Sequence, residues 1–88
     1  MTNKIHNIHK LYLSIKSVNK TLFDSEVQTV TSVNERGVFD ILPLHTNFIT
    51  LIKDYVLIDK NLPTETRFNI DRGVLYVLSN RVYVYRGI

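Results

Sequence analysis

Apolar and polar residues alternate along most of this chain with the two-residue period of a half-buried β-strand. In residues 10–18, Leu11, Leu13 and Ile15 fall on one side and polar neighbours on the other. No segment has the convincing 3.6-residue period that an amphipathic helix requires. The pattern therefore predicts strands along the whole chain.

The next segments continue this pattern between residues that favour turns. After a break at residues 19–20, we predict a long strand over residues 21–33, with a bend at residues 23–26 on the way in. Its alternate residues from Val27 to Val33 should share one face. The chain is therefore expected to open with two long strands.

The middle of the chain, GVFDILPLHTNFITLI at residues 37–52, follows a predicted turn at residues 34–37. Pro43 separates two short apolar runs, and a proline cannot donate a hydrogen bond to a sheet. We therefore predict two short strands around a corner. Residues 48–58 could form a helix by their length, but their β-branched residues favour a strand.

The C-terminal half is predicted to be a meander of hairpins. Strands are expected at YVLID, RFNI, VLYVL and RVYVYR, with a loop at KNLPTE and turns at DRG and Ser79-Asn80. The chain then holds about eight to ten short strands, as in an all-β, single-domain antiparallel β-sandwich. We expect residues 1–88 to be one domain, with a flexible segment at residues 1–9 and the sandwich at residues 10–86.

Composition supports the strand prediction. Alanine is absent, whereas Val (10), Ile (9) and Thr (8) supply 27 residues that are branched at Cβ. A chain of 88 residues is long enough for one domain and one core. Its 44% hydrophobic and 22% charged residues are typical of a globular protein.

Charge and cysteine content exclude several classes of protein. The net charge of +3 is spread along the chain, so only a weak attraction to anions follows. The absence of cysteine excludes disulfides and thiolate zinc sites. No apolar run approaches the roughly 18 residues of a spanning helix, and the N-terminus is too polar for a secretory signal. The sequence predicts a soluble or peripheral protein.

Candidate catalytic and metal-binding residues are few. His6 and His9 could chelate a metal only if the N-terminal segment formed a helical turn, and a mobile terminus fits them better. Three glycines are too few for a phosphate-binding loop, and no hydrolase or nucleotide motif occurs. Asp24 and Glu26 fit solvated carboxylates better than an acid/base pair. The sequence predicts no enzyme activity, cofactor, metal site or small-molecule ligand.

An aromatic and basic face near the C-terminus suggests one alternative function. A strand would place Arg81, Tyr83 and Tyr85 on one side, as in small β-domains that stack nucleic-acid bases. Tyrosines at the rim of a sandwich explain the same pattern, and a net charge of +3 attracts nucleic acid only weakly. Rim tyrosines are the preferred interpretation, and a single-stranded nucleic-acid-binding module is the alternative.

Residues 37–52 resemble the N-terminal β-sandwich of the epsilon subunit of F-type ATP synthases, which carries the pattern G-x-F/L-G-I-L-P-G-H-x-P-L-L-T-x-L. The positions in register are Gly37, Phe39, Ile41, Leu42, Pro43, His45 and Thr50. Residues 10–31 are similar to the family's opening strands through Phe23, Glu26 and Val27. Residues 67–85 are similar to its closing strands through Gly73, Leu75, Val77, Val82 and Val84.

The chain departs from the family pattern at several turn positions. Asp40 and Leu44 stand where the family tends to have glycine, Ser25 replaces another glycine, and Asn47 replaces a proline. The backbone of the corner should therefore be less permissive than in the family. No counterpart of the helical hairpin that usually follows the sandwich is expected after Arg86.

The resemblance implies a function without bond chemistry. It implies a non-catalytic central-stalk (rotor) subunit of a proton-translocating F-type ATP synthase, which couples rotation of the c-ring to the catalytic head through the gamma subunit. Such a subunit would be peripheral, at the cytoplasmic face of the bacterial plasma membrane, and would bind no nucleic acid. The expected contact residues are Glu35, Arg36, Phe39, Asp40, Leu42, Pro43, Leu44 and His45.

Overall fold

The computed structural model describes residues 10–87, and these form seven β-strands. The strands are β1 (Leu11–Ser17), β2 (Lys20–Val27), β3 (Val30–Asn34), β4 (Gly37–Ile41), β5 (Phe48–Ile58), β6 (Thr66–Leu78) and β7 (Arg81–Arg86). The predicted all-β class is confirmed. The predicted flexible segment at residues 1–9, with His6 and His9, lies outside the described residues.

All seven strands belong to one sheet, in the order β2-β1-β7-β6-β5-β3-β4. Neighbouring strands are antiparallel except β1 and β7, which run parallel with Leu13 opposite Val82. Phe23 of β2 and Phe68 of β6 pack edge to face, with ring centroids 5.8 Å apart. Because two strands separate β2 from β6 in the sheet, this contact requires the sheet to fold back over itself as a sandwich.

The core consists of the inward side chains of all seven strands. Each of these side chains stabilises the fold by about 1.5–3 kcal/mol through removal of apolar surface from water. Members that are at most 2% exposed are Leu11, Leu13, Ile15, Val30, Ile41, Ile52, Val56, Ile58, Ile70, Leu75, Val77, Val82 and Val84.

Two long strands replace four of the short strands that the sequence predicts. β5 and β6 pair along their whole lengths, with a β-bulge where Asp54 faces Asp71. Both aspartates have positive φ, 70° and 62°. The expected break after Asp54 and the expected turn at residues 71–73 are therefore bulges, which bend a ladder without ending it. The helical alternative for residues 48–58 is wrong, because this segment is β5.

The predicted strand over residues 21–33 is divided at residues 28–29 by a buried carboxylate. Asp59 Oδ1 accepts hydrogen bonds from the backbone N–H groups of Gln28 (2.7 Å) and Thr29 (3.2 Å). Asp59 Oδ2 accepts one from the Thr64 hydroxyl (2.6 Å), and the Asp59 side chain is buried. These bonds replace ladder bonds, so the chain changes direction here.

This division changes which residues face the core. Val30 and Ser32 point inward, with Ile41 and Phe39 opposite them on β4, while Thr31 lies opposite Asp40 on the outer side. The predicted shared face from Val27 to Val33 is therefore wrong, as is the predicted bend at residues 23–26, which lie within β2.

Glycine is required where β6 and β7 approach most closely. A Cβ on Gly73 would overlap the backbone carbonyl oxygen of Tyr85. The predicted turn at Ser79-Asn80 joins the same two strands and is confirmed, with positive φ at both residues, as type I′ hairpin turns require.

Candidate functional site

The ILPLH segment forms a tight turn at the predicted corner, which we define as residues 42–47. The His45 N–H donates to the Leu42 carbonyl oxygen (3.1 Å), and Pro43 and Leu44 lie between them. Leu44 has a φ of 70°. Proline followed by a residue with positive φ is the pattern of a type II turn, in which glycine usually occupies the third position.

Leu44 holds this position at an energetic cost that its own packing does not offset. A left-handed conformation costs a residue with a Cβ about 1–2 kcal/mol relative to its usual conformations. The Leu44 side chain is 67% exposed, so it recovers little by burial. A large apolar side chain is thus held exposed at a position that glycine would occupy at lower cost.

Hydrogen bonds fix the corner to the turn between β6 and β7. The Leu44 N–H donates to Asn80 Oδ1 (2.7 Å), and the Ser79 N–H donates to Asn47 Oδ1 (2.9 Å). The Asn80 carbonyl oxygen in turn accepts from the Tyr12 N–H on β1 (2.9 Å). The corner is therefore fixed to the β6–β7 turn, which is itself fixed to β1.

His45 is oriented by an aromatic neighbour and by the backbone. Its ring centroid lies 5.1 Å from that of Phe48, which also packs against Phe39 at 5.9 Å. His45 Nδ1 lies 2.7 Å from the Thr46 carbonyl oxygen. Because a carbonyl only accepts, Nδ1 must carry the hydrogen, and Nε2 is the nitrogen left for another partner.

Polar contacts tie Asp40 to β3 and to the loop that follows β5. The Thr31 hydroxyl donates to Asp40 Oδ1 (2.5 Å), and Lys60 Nζ lies 3.1 Å from the same oxygen. The hydrogen bond from Thr31, followed by that from Lys60, holds the pKa of Asp40 below its usual value. Asp40 is thus a structural rim residue whose carboxylate is already partnered.

The eight expected contact residues do not form one cluster. Glu35 and Arg36 make the turn between β3 and β4, whereas the corner begins after Ile41 at the other end of β4. Five strand residues span about 13 Å, so the two groups lie at opposite ends of the strand. Phe39 points inward between these ends, and Asp40 points outward.

Sequence reasoning missed an outward-facing group on β5, β6 and β7, which we call the apolar patch. Cross-strand register places Ile49 opposite Tyr76 and Leu51 opposite Val74. Ile49 is 70% and Leu51 is 73% exposed. The apolar patch consists of Ile49, Leu51, Val74, Tyr76, Leu78, Tyr83 and Tyr85.

Tyrosine rings order the part of the patch on β6 and β7. Tyr76 and Tyr83 stack with centroids 4.8 Å apart and an interplanar angle of 24°. Partial burial, with smaller effects from Tyr85 and Tyr83, raises the pKa of Tyr76. The Arg81 guanidinium lies 5.2 Å from the centre of the Tyr12 ring. As the sequence predicts, Arg81, Tyr83 and Tyr85 share one face.

A cleft of about 690 Å³ lies between the corner and the β2–β3 break. Its lining includes Leu42, Pro43, Asp59 and Thr64, and the Asp59 carboxylate is committed to the hydrogen bonds described above. In residues 10–87, no three His, Asp or Glu side chains are grouped so that they could hold a metal ion. Over the same residues, no helix is long and apolar enough to cross a membrane.

A family model described as the ATP synthase Delta/Epsilon chain, beta-sandwich domain, matches residues 10–85. The chain belongs to this family. The match runs from the residue before β1 almost to the end of β7, so the delta/epsilon domain accounts for the whole described sheet. The resemblance found in the sequence is confirmed.

Solved ATP synthases contain the same delta/epsilon fold. A chain of the Euglena gracilis mitochondrial enzyme, from a structure of OSCP, F1 and c-ring in rotational state 1, matches with a TM-score of 0.80 and 12% identity, covering 89% of this chain and 51% of its own length. A chain of the Tetrahymena thermophila mitochondrial central stalk and c-ring matches with a TM-score of 0.69 and 12% identity, covering 90% and 64%. No curated protein sequence matches the chain.

Proposed function

We propose that this delta/epsilon domain acts as a non-catalytic central-stalk subunit of a proton-translocating F-type ATP synthase. It would contact the gamma subunit and the c-ring and couple rotation of the ring to the catalytic head. It would therefore be peripheral to the membrane, and the bacterial plasma membrane expected from the sequence is part of this proposal. Family membership supports the assignment to this complex.

The apolar patch is the observation that carries this proposal. Contiguous exposed apolar surface of this kind marks protein contacts, and here it lies on three hydrogen-bonded strands. A subunit that transmits torque needs an attachment that does not deform under load, and a sheet face meets this need better than a loop. We assign the patch to the gamma subunit.

The expected contact residues supply two further attachments. Leu42, Pro43, Leu44 and His45 lie in the corner, which adjoins the patch because the Leu44 N–H bonds to the turn that follows Leu78. We assign the corner, with the neighbouring Asp40, to the gamma subunit as well, and Phe39 would support this contact from inside through Phe48 and His45. We assign the charged turn of Glu35 and Arg36 to the c-ring, whose surface outside the membrane is expected to be polar.

The nucleic-acid alternative is less well supported. Base stacking needs free aromatic faces. Tyr83 stacks on Tyr76, and Tyr12 is covered by Arg81, so these rings already have partners within the sheet. Fluorescence anisotropy at low salt with a labelled single strand tests this directly. A flat titration is expected, and binding that weakens in Tyr85→Ala would favour the alternative.

Leu44→Gly tests the subunit assignment, because glycine suits the left-handed position that leucine occupies. The domain should keep or slightly raise its thermal midpoint, whereas copurification with coexpressed gamma and c subunits should weaken. Wild-type chain should be recovered with both subunits in the complex purified from native membranes. Absence of the chain from that complex would overturn the proposal.

A further inference from the structure

We propose that the partner surface that covers the apolar patch brings an acidic side chain into a pocket between Lys53 and Arg72. This inference rests on the proposed function, because the partner is taken to be the gamma subunit. It goes further in stating the chemistry of the contact: an apolar centre with a carboxylate at one edge.

The pocket opens beside Leu51, at the end of the patch nearest the β5–β6 bulge. Its volume is about 330 Å³. Lys53 and Arg72 face each other across the ladder and line it, and the buried Ile52 and the Asn34 side chain contribute to the remaining wall. A partner residue that packs on Leu51 could therefore place a neighbouring carboxylate between two cations.

Both cations are uncommitted in the part of the chain that the structure describes. Within residues 10–87, neither Lys53 Nζ nor the Arg72 guanidinium lies within 4.0 Å of a carboxylate, and neither side chain donates a hydrogen bond. By contrast, Lys60 pairs with Asp40. Glu35 also lines the pocket, which would therefore lie where the surfaces assigned to the gamma subunit and the c-ring meet. The formal charge of the pocket is +1, and one further carboxylate would neutralise it.

Cations adjoin the apolar patch on its other sides as well. Lys16 lies opposite Tyr85 in the β1–β7 ladder, and Arg81 lies opposite Leu78. The carboxylates of Asp24 and Glu26 are one strand further out, on β2, opposite Ser14 and Tyr12, and the bulge pair Asp54–Asp71 follows Lys53–Arg72 in the ladder. The cations that directly adjoin the patch favour an acidic partner residue at their own positions.

The partner contact can be tested with the gamma subunit encoded in the same genome, by titration calorimetry at low and high salt. Wild-type chain should bind more weakly as salt rises, because the cation–carboxylate contact is screened. Lys53→Glu with Arg72→Glu should weaken binding at least tenfold at low salt and reverse the salt dependence, because salt then screens a repulsion between carboxylates. Leu51→Asp should abolish binding, and Ile49→Thr, which keeps a strand-forming residue, should weaken it.

Two exposed positions away from the patch supply matched controls. Lys20→Glu reverses a charge on the edge strand β2, and Val18→Asp adds a carboxylate in the β1–β2 turn, where Val18 is 85% exposed. Both should bind like wild type, and thermal midpoints should show that every variant is folded. If the charge reversal binds like wild type while Leu51→Asp fails, the acidic contact is wrong and the proposed function stands. If wild-type chain does not bind gamma, both fail.

Discussion

The outer apolar side chains are covered in one half of the β5–β6 ladder and exposed in the other half. Beyond the bulge, the Arg67 guanidinium lies 4.2 Å above the Tyr55 ring, and Leu57 faces Arg67 in register. Tyr55 and Leu57 are only partly exposed. Before the bulge, Ile49 and Leu51 are 70% and 73% exposed. We call these the covered half and the bare half.

The difference lies in what the opposite strand offers. The long apolar stem and planar guanidinium of an arginine can cover a neighbouring aromatic ring. In the covered half, Arg67 of β6 covers the Tyr55 ring of β5 in this way. In the bare half, Leu51 is opposite Val74, which cannot reach across it. The same pair of strands thus has one outer surface that the chain itself covers and one that is exposed and open to a second protein.

The largest expected loss of stability comes from a substitution on the inner side of the bare half. Gly73→Ala should cost about 3 kcal/mol or more in the free energy of unfolding, because the new Cβ meets a backbone oxygen that cannot rotate away. β7 pairs with β6 only over residues 73–78, so amide exchange should rise in β7 before it rises in β3. Gly37→Ala is the control, since its Cβ would meet nothing and only its φ of 117° opposes the change. Equal losses of stability in the two variants would contradict this account.

Removal of the buried carboxylate after β5 should damage the covered half. Asp59→Ala leaves two part-buried N–H groups and the Thr64 hydroxyl without their acceptor, which should cost about 2–3 kcal/mol by urea unfolding. Asp59→Asn keeps an oxygen at Oδ1 and tolerates the φ of 53°, so about 1 kcal/mol is expected. If the two variants lose the same stability, the hydrogen bonds accepted by Asp59 do not account for the loss.

Substitution of one arginine in each half of the ladder compares the two halves directly. Arg67→Ala uncovers Tyr55 and should cost about 0.5–1 kcal/mol. Arg72→Ala, in the bare half, should change the free energy of unfolding by less than about 0.3 kcal/mol, because its head has no partner among the described residues. Thermal unfolding of both variants measures the difference. A larger loss of stability in Arg72→Ala than in Arg67→Ala would contradict the distinction between the halves.

One further small effect on stability depends on pH. Asp40 lies in register with Thr31, which lies beside Leu57 of the covered half. Since the pKa of Asp40 is lowered from 3.8 in the folded state, its ionised form stabilises the fold fully above that pH. This stability is lost as the pH falls through the lowered pKa. Asp40→Asn should cost about 0.5 kcal/mol at neutral pH, discounted for exposure, and progressively less as the pH falls into the acid range. A difference that stays the same from neutral pH into acid would contradict this account.

Local features of this fold could be predicted from the sequence. The alternation around Leu13, the corner at Pro43 and the turn at Ser79-Asn80 each depend on residues within a few positions of one another. The bulge between Asp54 and Asp71 could not, because it is set by how two distant strands align. The hydrogen bond from the Thr29 N–H to Asp59 joins residues thirty positions apart, so no local sequence pattern predicts it.

The candidate site divides in the same way. Its corner was predicted because a resemblance to a known family identifies a contiguous motif. The apolar patch was missed, although alternation already places Ile49, Tyr76 and Tyr83 on outer faces. These residues become neighbours only when the registers of three strands are known. The apolar run FITLI was the available signal, because a strand with one buried face leaves its alternate apolar residues on the outer face.

The parallel contact between β1 and β7 has a consequence for how the domain matures. Leu13 meets Val82, sixty-nine positions further along the chain, so β1 gains this neighbour only after nearly the whole described sheet has been synthesised. Contacts of such long range slow folding. Tyr83 and Tyr85 are delivered by that same last strand. On a ribosome, therefore, the fold and the apolar patch become complete only when β7 is added, and a chain that stops before β7 lacks the patch residues Tyr83 and Tyr85.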